Sequence, residues 1–132
     1  MYKRQARDEG HISDGTPIEA CGEALDGRPG IAAIGINCTA LGHIETLLGR
    51  LRATTSLPII VYPNSGETYD PLTKTWGQGC AHGAAPQDLA DGLPRWLAAG
   101  ASAIGGCCRT GPADIRALAR IRQARTAVKP TV

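Results

Sequence analysis

Three short apolar runs divide the chain, and each is followed by a polar loop and then by a helical pattern. The runs cover residues 31–36, 57–62 and 101–105. They are continuous rather than alternating, which is typical of strands covered on both faces in a parallel sheet. Alternation of such strands with helices favours parallel pairing, so the pattern predicts the α/β fold class.

Apolar residues at helical spacing mark the segments between these runs. A helix is predicted over residues 41–51, and another over 86–97 with Pro94 expected to kink or split it. A last helix is predicted to begin with Pro112 at its first position, and a shorter one precedes the first strand over residues 16–25.

Composition restricts the class of protein further. The 132 residues suit one domain, and with two Trp, three Tyr and no Phe the core must be aliphatic. A net charge of +2 without a basic block argues against a nucleic-acid partner. No apolar run approaches the ~20 residues of a membrane span, and no secretory signal is recognisable. We therefore expect a cytoplasmic protein with no membrane partner, whose five cysteines are thiols or metal ligands rather than disulfides.

Three of these cysteines follow strands directly. Cys38 comes after the first apolar run, and the pair Cys107 and Cys108 comes after the third. The carboxyl ends of parallel strands meet at one edge, where active sites of α/β proteins are built. Three thiolates that leave a fourth position open are a ligand set for catalytic zinc. The alternative from the residues alone is that these cysteines are small apolar core residues, which free cysteine often is.

Four polar residues share that edge and are candidates for substrate binding. Asn37 and Asn64 stand at strand ends, where an asparagine either contacts substrate or holds a turn. Glu67 would bind an ammonium group or be a solvated loop acid. Arg109 would bind a carboxylate through two hydrogen bonds or pair with a neighbouring acid.

The motifs around these residues resemble the homocysteine S-methyltransferase family, in particular the branch that uses S-methylmethionine or S-adenosylmethionine as methyl donor. The resemblance runs from about residue 8 to residue 123. Its motifs are GINCT at residues 35–39, YPNSGE at 62–67 and GGCCRT at 105–110. Three motifs in this order, with helical patterns between them, are far more specific than a lone pair of cysteines.

The resemblance implies a fold, a metal and a reaction. The family fold is a (β/α)8 TIM barrel of about 250 residues, so three strand–helix units would be its carboxyl-terminal portion, an incomplete barrel that we expect to be inactive alone. Position by position, the zinc ligands are Cys38, Cys107 and Cys108. In the family, the homocysteine thiolate takes the open zinc position and accepts the methyl group, which gives methionine.

Residues 1–5 do not belong to the family pattern. We interpret them as a non-native leader, translated from a sequencing-library adapter, and residues 6–132 as the carboxyl-terminal part of the homocysteine-binding domain.

Three alternatives to the sulfonium-dependent enzyme remain open. One is a betaine- or folate-dependent homocysteine methyltransferase domain. Another is a non-catalytic zinc- or thiol-binding module, closed by Cys80 or a histidine as fourth ligand. The last is a fragment without function. The sequence carries no signal for an oligomeric state.

Overall fold

The computed structural model of the chain describes residues 2–70, 72–77 and 88–127. Its helices pack in chain order, each against the next, with α2 and α3 also contacting strands of the main sheet. The elements are β1 Tyr2–Gln5, α1 Ile18–Leu25, β2 Ile34–Asn37, α2 Leu41–Arg52, β3 Ile59–Tyr62, β4 Thr68–Asp70, β5 Thr75–Gly77, α3 Leu89–Ala98, β6 Ala101–Ile104 and α4 Pro112–Ala127.

Four strands form one parallel sheet in the order β1-β2-β3-β6. The α/β class and the three predicted strands are confirmed, although each strand is shorter than its apolar run. The sequence did not predict β1, whose register runs from Tyr2 opposite Ile34 to Gln5 opposite Asn37. A strand here says nothing of where these residues came from, so the adapter interpretation stays a prediction. The loop after β3 also contains the small antiparallel pair β4 and β5.

Helix α3 differs in its start from the predicted helix. Pro86 lies outside the described residues, and the helix begins after Asp88, whose carboxylate accepts a hydrogen bond from the Asp91 N–H at 2.8 Å. Such an N-cap satisfies a donor that the first turn leaves free. Pro94 lies inside the helix without splitting it. Gly100 has φ +103° and follows the last turn, as expected for a glycine at a helix end.

Among the residues that the structure describes, the core is aliphatic, as the composition predicts, apart from the aromatic side chain of Trp96. Trp96 on α3 is completely buried. It packs against Gly92, where a Cβ atom would come within 2.2 Å of the indole ring, so a glycine is required there. The buried aliphatic residues of this cluster are Ile18, Ile34, Ile36, Leu41, Ile44, Leu47, Leu48, Leu51, Ile59, Val61, Leu89, Leu93, Ala101 and Leu118.

No helix in the described part of the chain is long and apolar enough to cross a membrane. Helix α4 exposes its arginines, while Leu118 turns into the core.

Candidate metal centre

The carboxyl ends of β2, β3 and β6 are held together by backbone hydrogen bonds that extend beyond the strands. The Cys38 N–H donates to the Tyr62 carbonyl at 3.1 Å. The Cys107 N–H donates to the Pro63 carbonyl at 2.8 Å. The segment after β3 thus lies between the two cysteine-bearing segments and fixes the position of both.

The three predicted ligands lie together. The Sγ atoms of Cys38, Cys107 and Cys108 are all within 4.8 Å of one another, and those of Cys38 and Cys108 are 3.6 Å apart. Zinc–sulfur bonds of ~2.3 Å in a tetrahedron place two sulfurs about 3.8 Å apart. The cluster therefore has the donor chemistry and the dimensions for one soft divalent cation, with the fourth position left to another ligand.

The electrostatics of the cluster disfavour a bare thiolate. Burial, then hydrogen bonds with Cys107 and Cys108 and repulsion from their thiolates, raise the pKa of Cys38 to about 12. A bound divalent cation reverses this balance, because it stabilises the deprotonated sulfurs. Cys38 is thus a neutral thiol near pH 7 in the metal-free chain, and the three sulfurs would become good ligands when a cation compensates their charge.

Two residues of the cluster segments have left-handed backbone conformations. Cys38 has φ +51° and Arg109 has φ +61°. For a residue with a Cβ atom this region costs roughly 1–2 kcal/mol, so neighbouring contacts must maintain it. Both residues lie where the chain leaves a strand and turns towards a helix, and the turns bring the thiols to one place.

Glu67 and Arg109, two predicted substrate contacts, pair with each other. The Arg109 Nε donates to Glu67 Oε2 at 2.6 Å and Nη2 donates to Oε1 at 3.3 Å. The guanidinium lowers the pKa of the Glu67 carboxyl, and the carboxylate raises the pKa of Arg109. Nearby, the Ser65 N–H donates to the Cys108 carbonyl at 3.1 Å. The pair thus connects the loop after β3 to the residue that follows Cys108.

The two predicted asparagines also lie at this edge. Asn37 is the last residue of β2, and its carbonyl accepts a hydrogen bond from the Thr39 hydroxyl at 3.0 Å. The Asn64 N–H donates to the Thr39 carbonyl at 3.0 Å. Asn64 Oδ1 is shielded from solvent and accepts no hydrogen bond from any residue that the structure describes.

Sequence reasoning missed Thr39, although the residue belongs to a motif that we singled out. It is buried and contacts the segments after three different strands. The available signal was a polar β-branched residue directly after a strand-end ligand.

The described histidines do not join the thiols. The His11 Nδ1 lies 2.9 Å from the Asp8 carboxylate, and His43 Nδ1 lies 3.5 Å from that of Glu9. His82 and Cys80 lie outside the described residues, and Cys21 lies on α1, apart from the cluster. Within the described part of the chain, no residue closes a four-ligand site.

The chain is similar to known methyltransferases. A model of the family described as homocysteine S-methyltransferase matches residues 2–122. The homocysteine S-methyltransferase of Escherichia coli K12 is 54% identical over 112 residues, which are 85% of this chain and 35% of that protein. The selenocysteine methyltransferase of Astragalus bisulcatus is 40% identical over 116 residues, 88% of this chain and 34% of that protein.

A solved structure agrees with these matches. The E. coli homocysteine methyltransferase MmuM in a metallated form superposes with a TM-score of 0.65 at 48% identity, over 86% of this chain and 33% of that one. The chain therefore spans about a third of the length of the relatives it matches.

Proposed function

Because the chain belongs to the homocysteine S-methyltransferase family, we propose that it carries the zinc site for methyl transfer from S-methylmethionine or S-adenosylmethionine to homocysteine, with methionine as product. Cys38, Cys107 and Cys108 would hold the zinc. The observation that carries this proposal is the cluster of three Sγ atoms within 4.8 Å at the carboxyl ends of parallel strands. The metallated form of the E. coli relative supports a metal.

Zinc, when bound, supplies charge that keeps the thiol of the acceptor deprotonated at neutral pH. The three cysteine thiolates leave the site with a net negative charge, so the acceptor sulfur keeps its nucleophilic character. A sulfonium donor is already activated by its positive charge and needs no general acid. The work of the protein is therefore to align the acceptor sulfur, the methyl group and the leaving sulfur.

Asn37, Asn64, Glu67 and Arg109 are proposed to contact the amino-acid groups of the substrates. Asn64 Oδ1, which has no partner among the residues that the structure describes, is an acceptor available to an ammonium group, because a shielded acceptor without a partner is costly. The Glu67–Arg109 pair is partly exposed and joins two charges of opposite sign. A zwitterionic amino acid carries the same two charges, so its carboxylate could bind Arg109 and its ammonium group could bind Glu67 in place of the pair.

The whole reaction is proposed for a complete barrel. The parallel strand–helix units support the proposal that this segment is the carboxyl-terminal portion of a (β/α)8 barrel, which has eight such units. The chain spans about a third of the length of its relatives, and the substrate-binding residues on the other barrel strands would lie outside this segment. We expect the isolated chain to bind metal but to be inactive as a methyltransferase, and we propose a cytoplasmic location, where thiols stay reduced.

A second acceptor is selenocysteine, since one relative is a selenocysteine methyltransferase. A selenolate is a softer nucleophile than a thiolate and suits the same site. Assays of a full-length protein containing this segment, with either acceptor and with sulfonium, betaine or folate donors, separate these alternatives. The motifs favour homocysteine and a sulfonium donor.

The metal site is tested by zinc content. Purified chain, with circular dichroism to report folding, is compared with Cys108→Ser and with Cys21→Ser as a matched control outside the cluster. We expect about one zinc per chain in the wild type and in Cys21→Ser, and loss of zinc in Cys108→Ser. A folded wild type without zinc contradicts the proposal, as does equal zinc in both variants.

A further inference from the structure

Thr39 connects the segments that follow three neighbouring strands. Its hydroxyl oxygen accepts a hydrogen bond from the Ala6 N–H after β1 at 3.2 Å and donates one to the Asn37 carbonyl at the end of β2 at 3.0 Å. Its own carbonyl accepts the Asn64 N–H, after β3, at 3.0 Å. With 1% of its surface exposed, Thr39 is one of two buried polar residues in the described part of the chain.

Cys38 lies between two residues that this network holds. Its backbone is left-handed, with φ +51°, a conformation that persists only where the surroundings impose it. On one side the Thr39 hydroxyl binds the Asn37 carbonyl, and on the other the Thr39 carbonyl binds Asn64. The Cys38 N–H itself is bound by the Tyr62 carbonyl. The direction of the Cys38 thiol is therefore set largely through Thr39.

We propose that Thr39 is a positioning residue for the metal centre: its hydroxyl holds Cys38 in the conformation that keeps Cys38 Sγ 3.6 Å from Cys108 Sγ. This inference rests on the proposed zinc site but goes beyond it, because Thr39 has no ligand atom in the cluster. Residues that orient metal ligands commonly contribute a factor of 10 to 100 in metal affinity.

A buried threonine elsewhere in the chain allows a merely structural role to be separated from positioning. Thr55 is also buried, and its hydroxyl donates to the Asp26 carboxylate at 2.7 Å, in the segment between α2 and β3. Thr55→Val removes a buried hydroxyl there in the same way as Thr39→Val does at the thiol edge. Thr39→Ser keeps the hydroxyl and removes only a methyl group.

The experiment measures zinc affinity by competition with a chromophoric chelator. We expect Thr39→Val to raise the zinc Kd by a factor of about 10 to 100. Thr39→Ser, which keeps the hydroxyl, should have a zinc Kd within about threefold of the wild-type value. Thr55→Val should lower the thermal midpoint but leave the zinc Kd unchanged. With Co²⁺ as probe, Thr39→Val should also alter the thiolate-to-cobalt absorption, which loss of stability alone does not change.

An unchanged Kd in Thr39→Val overturns the inference, and so does an equal loss of affinity in Thr55→Val. If the wild type binds no zinc, the proposed function fails, and Thr39 is tested in the metal-free chain. There, oxidised glutathione converts the two thiols to a disulfide and is reduced to two glutathione molecules. Thr39→Val should lower the equilibrium constant for a Cys38–Cys108 disulfide about tenfold, and an unchanged constant contradicts positioning.

Discussion

Cys38 and the Cys107–Cys108 pair reach the same point from strands in different environments. Cys38 follows β2, which has a strand on either side and is buried along most of its length. The pair follows β6, which has β3 on one side and exposes Ser102 and Ala103. The Cys38 half of the cluster is therefore anchored in the core. The other half depends on contacts with the loop after β3. These are two backbone hydrogen bonds, from the Cys107 N–H to the Pro63 carbonyl and from the Ser65 N–H to the Cys108 carbonyl. The Glu67–Arg109 ion pair adds to them.

The difference shows how a cluster of thiols can combine a rigid and a more adjustable side. A buried central strand fixes the direction in which the chain leaves it, because its backbone donors and acceptors are paired on both sides. A strand at the end of the sheet leaves more freedom, so its ligands need additional contacts. We expect changes on the two sides to differ in size and in the property that they affect.

The largest expected effect comes from the core beneath Cys38. Ile36 on β2 is buried to 1% exposure, and Ile36→Ala should lower the free energy of unfolding by roughly 2–5 kcal/mol. Ile104 on β6 is only partly buried against the same core. Denaturant unfolding of Ile104→Ala, the matched change on the other side, should show about half that loss. Equal losses would remove the distinction between the two strands.

The pH dependence of the metal-free chain sharpens the comparison. The folded structure raises the pKa of Cys38 from 9.0 to about 12. Since this pKa is higher in the folded state than in the unfolded state, the corresponding stabilisation is complete below about pH 9 and is lost as pH rises towards 12. Unfolding curves at pH 8 and pH 10.5 should show this fall, and Cys38→Ser should reduce it. A wild type and a Cys38→Ser variant with the same pH dependence would contradict the assignment.

The zinc affinity should fall as the pH is lowered, whereas the stability of the metal-free chain falls as the pH is raised. Each cysteine ligand loses its proton on binding, so zinc affinity should fall as pH is lowered from 8 to 6, by up to about tenfold per pH unit for each proton released. Competition titrations at several pH values measure the number of protons. A slope near zero would show that the thiols are not the ligands.

The smallest expected effect is at the surface pair beside Cys108. Glu67→Gln removes the negative charge that pairs with Arg109, but both side chains are partly exposed, so the free energy of unfolding should change little. Zinc affinity should fall a few-fold, because Arg109 follows Cys108 directly. Glu45→Gln breaks a similar exposed pair, with Arg95, and should leave zinc affinity unchanged. The same zinc affinity in both variants would show that the pair does not support the ligand.

The fold was predictable where the pattern of apolar residues was strong. The runs before Cys38 and Cys107, and the helix that starts at Pro112, are confirmed, because continuous apolar strands and an N-terminal proline are local signals. Strand β1 was missed, because residues 2–5 carry charged and polar side chains and the strand is defined by its pairing with β2. Helix α3 was not split at Pro94, since packing against the sheet and against its neighbouring helices outweighs the local preference.

In the candidate site, too, features with a local sequence signal were predictable, and contacts between distant segments were not. The family resemblance is confirmed, and the three cysteines lie together as the motifs predicted. The pairing of Glu67 with Arg109 was one of two alternatives, and nothing in the sequence distinguished them, because the residues are 42 positions apart. Thr39 was missed because its importance depends on three hydrogen bonds to different segments.

The sequence by itself determined the family, the α/β class and which three cysteines come together, because these depend on local motifs and on the order of apolar runs along the chain. Tertiary structure decided the strand at residues 2–5, the partner of Arg109 and the network around Thr39. The physical reason is that hydrogen bonds between distant segments depend on strand register and on the direction of each turn. These are set by packing of the whole sheet, and no single segment of the chain encodes them.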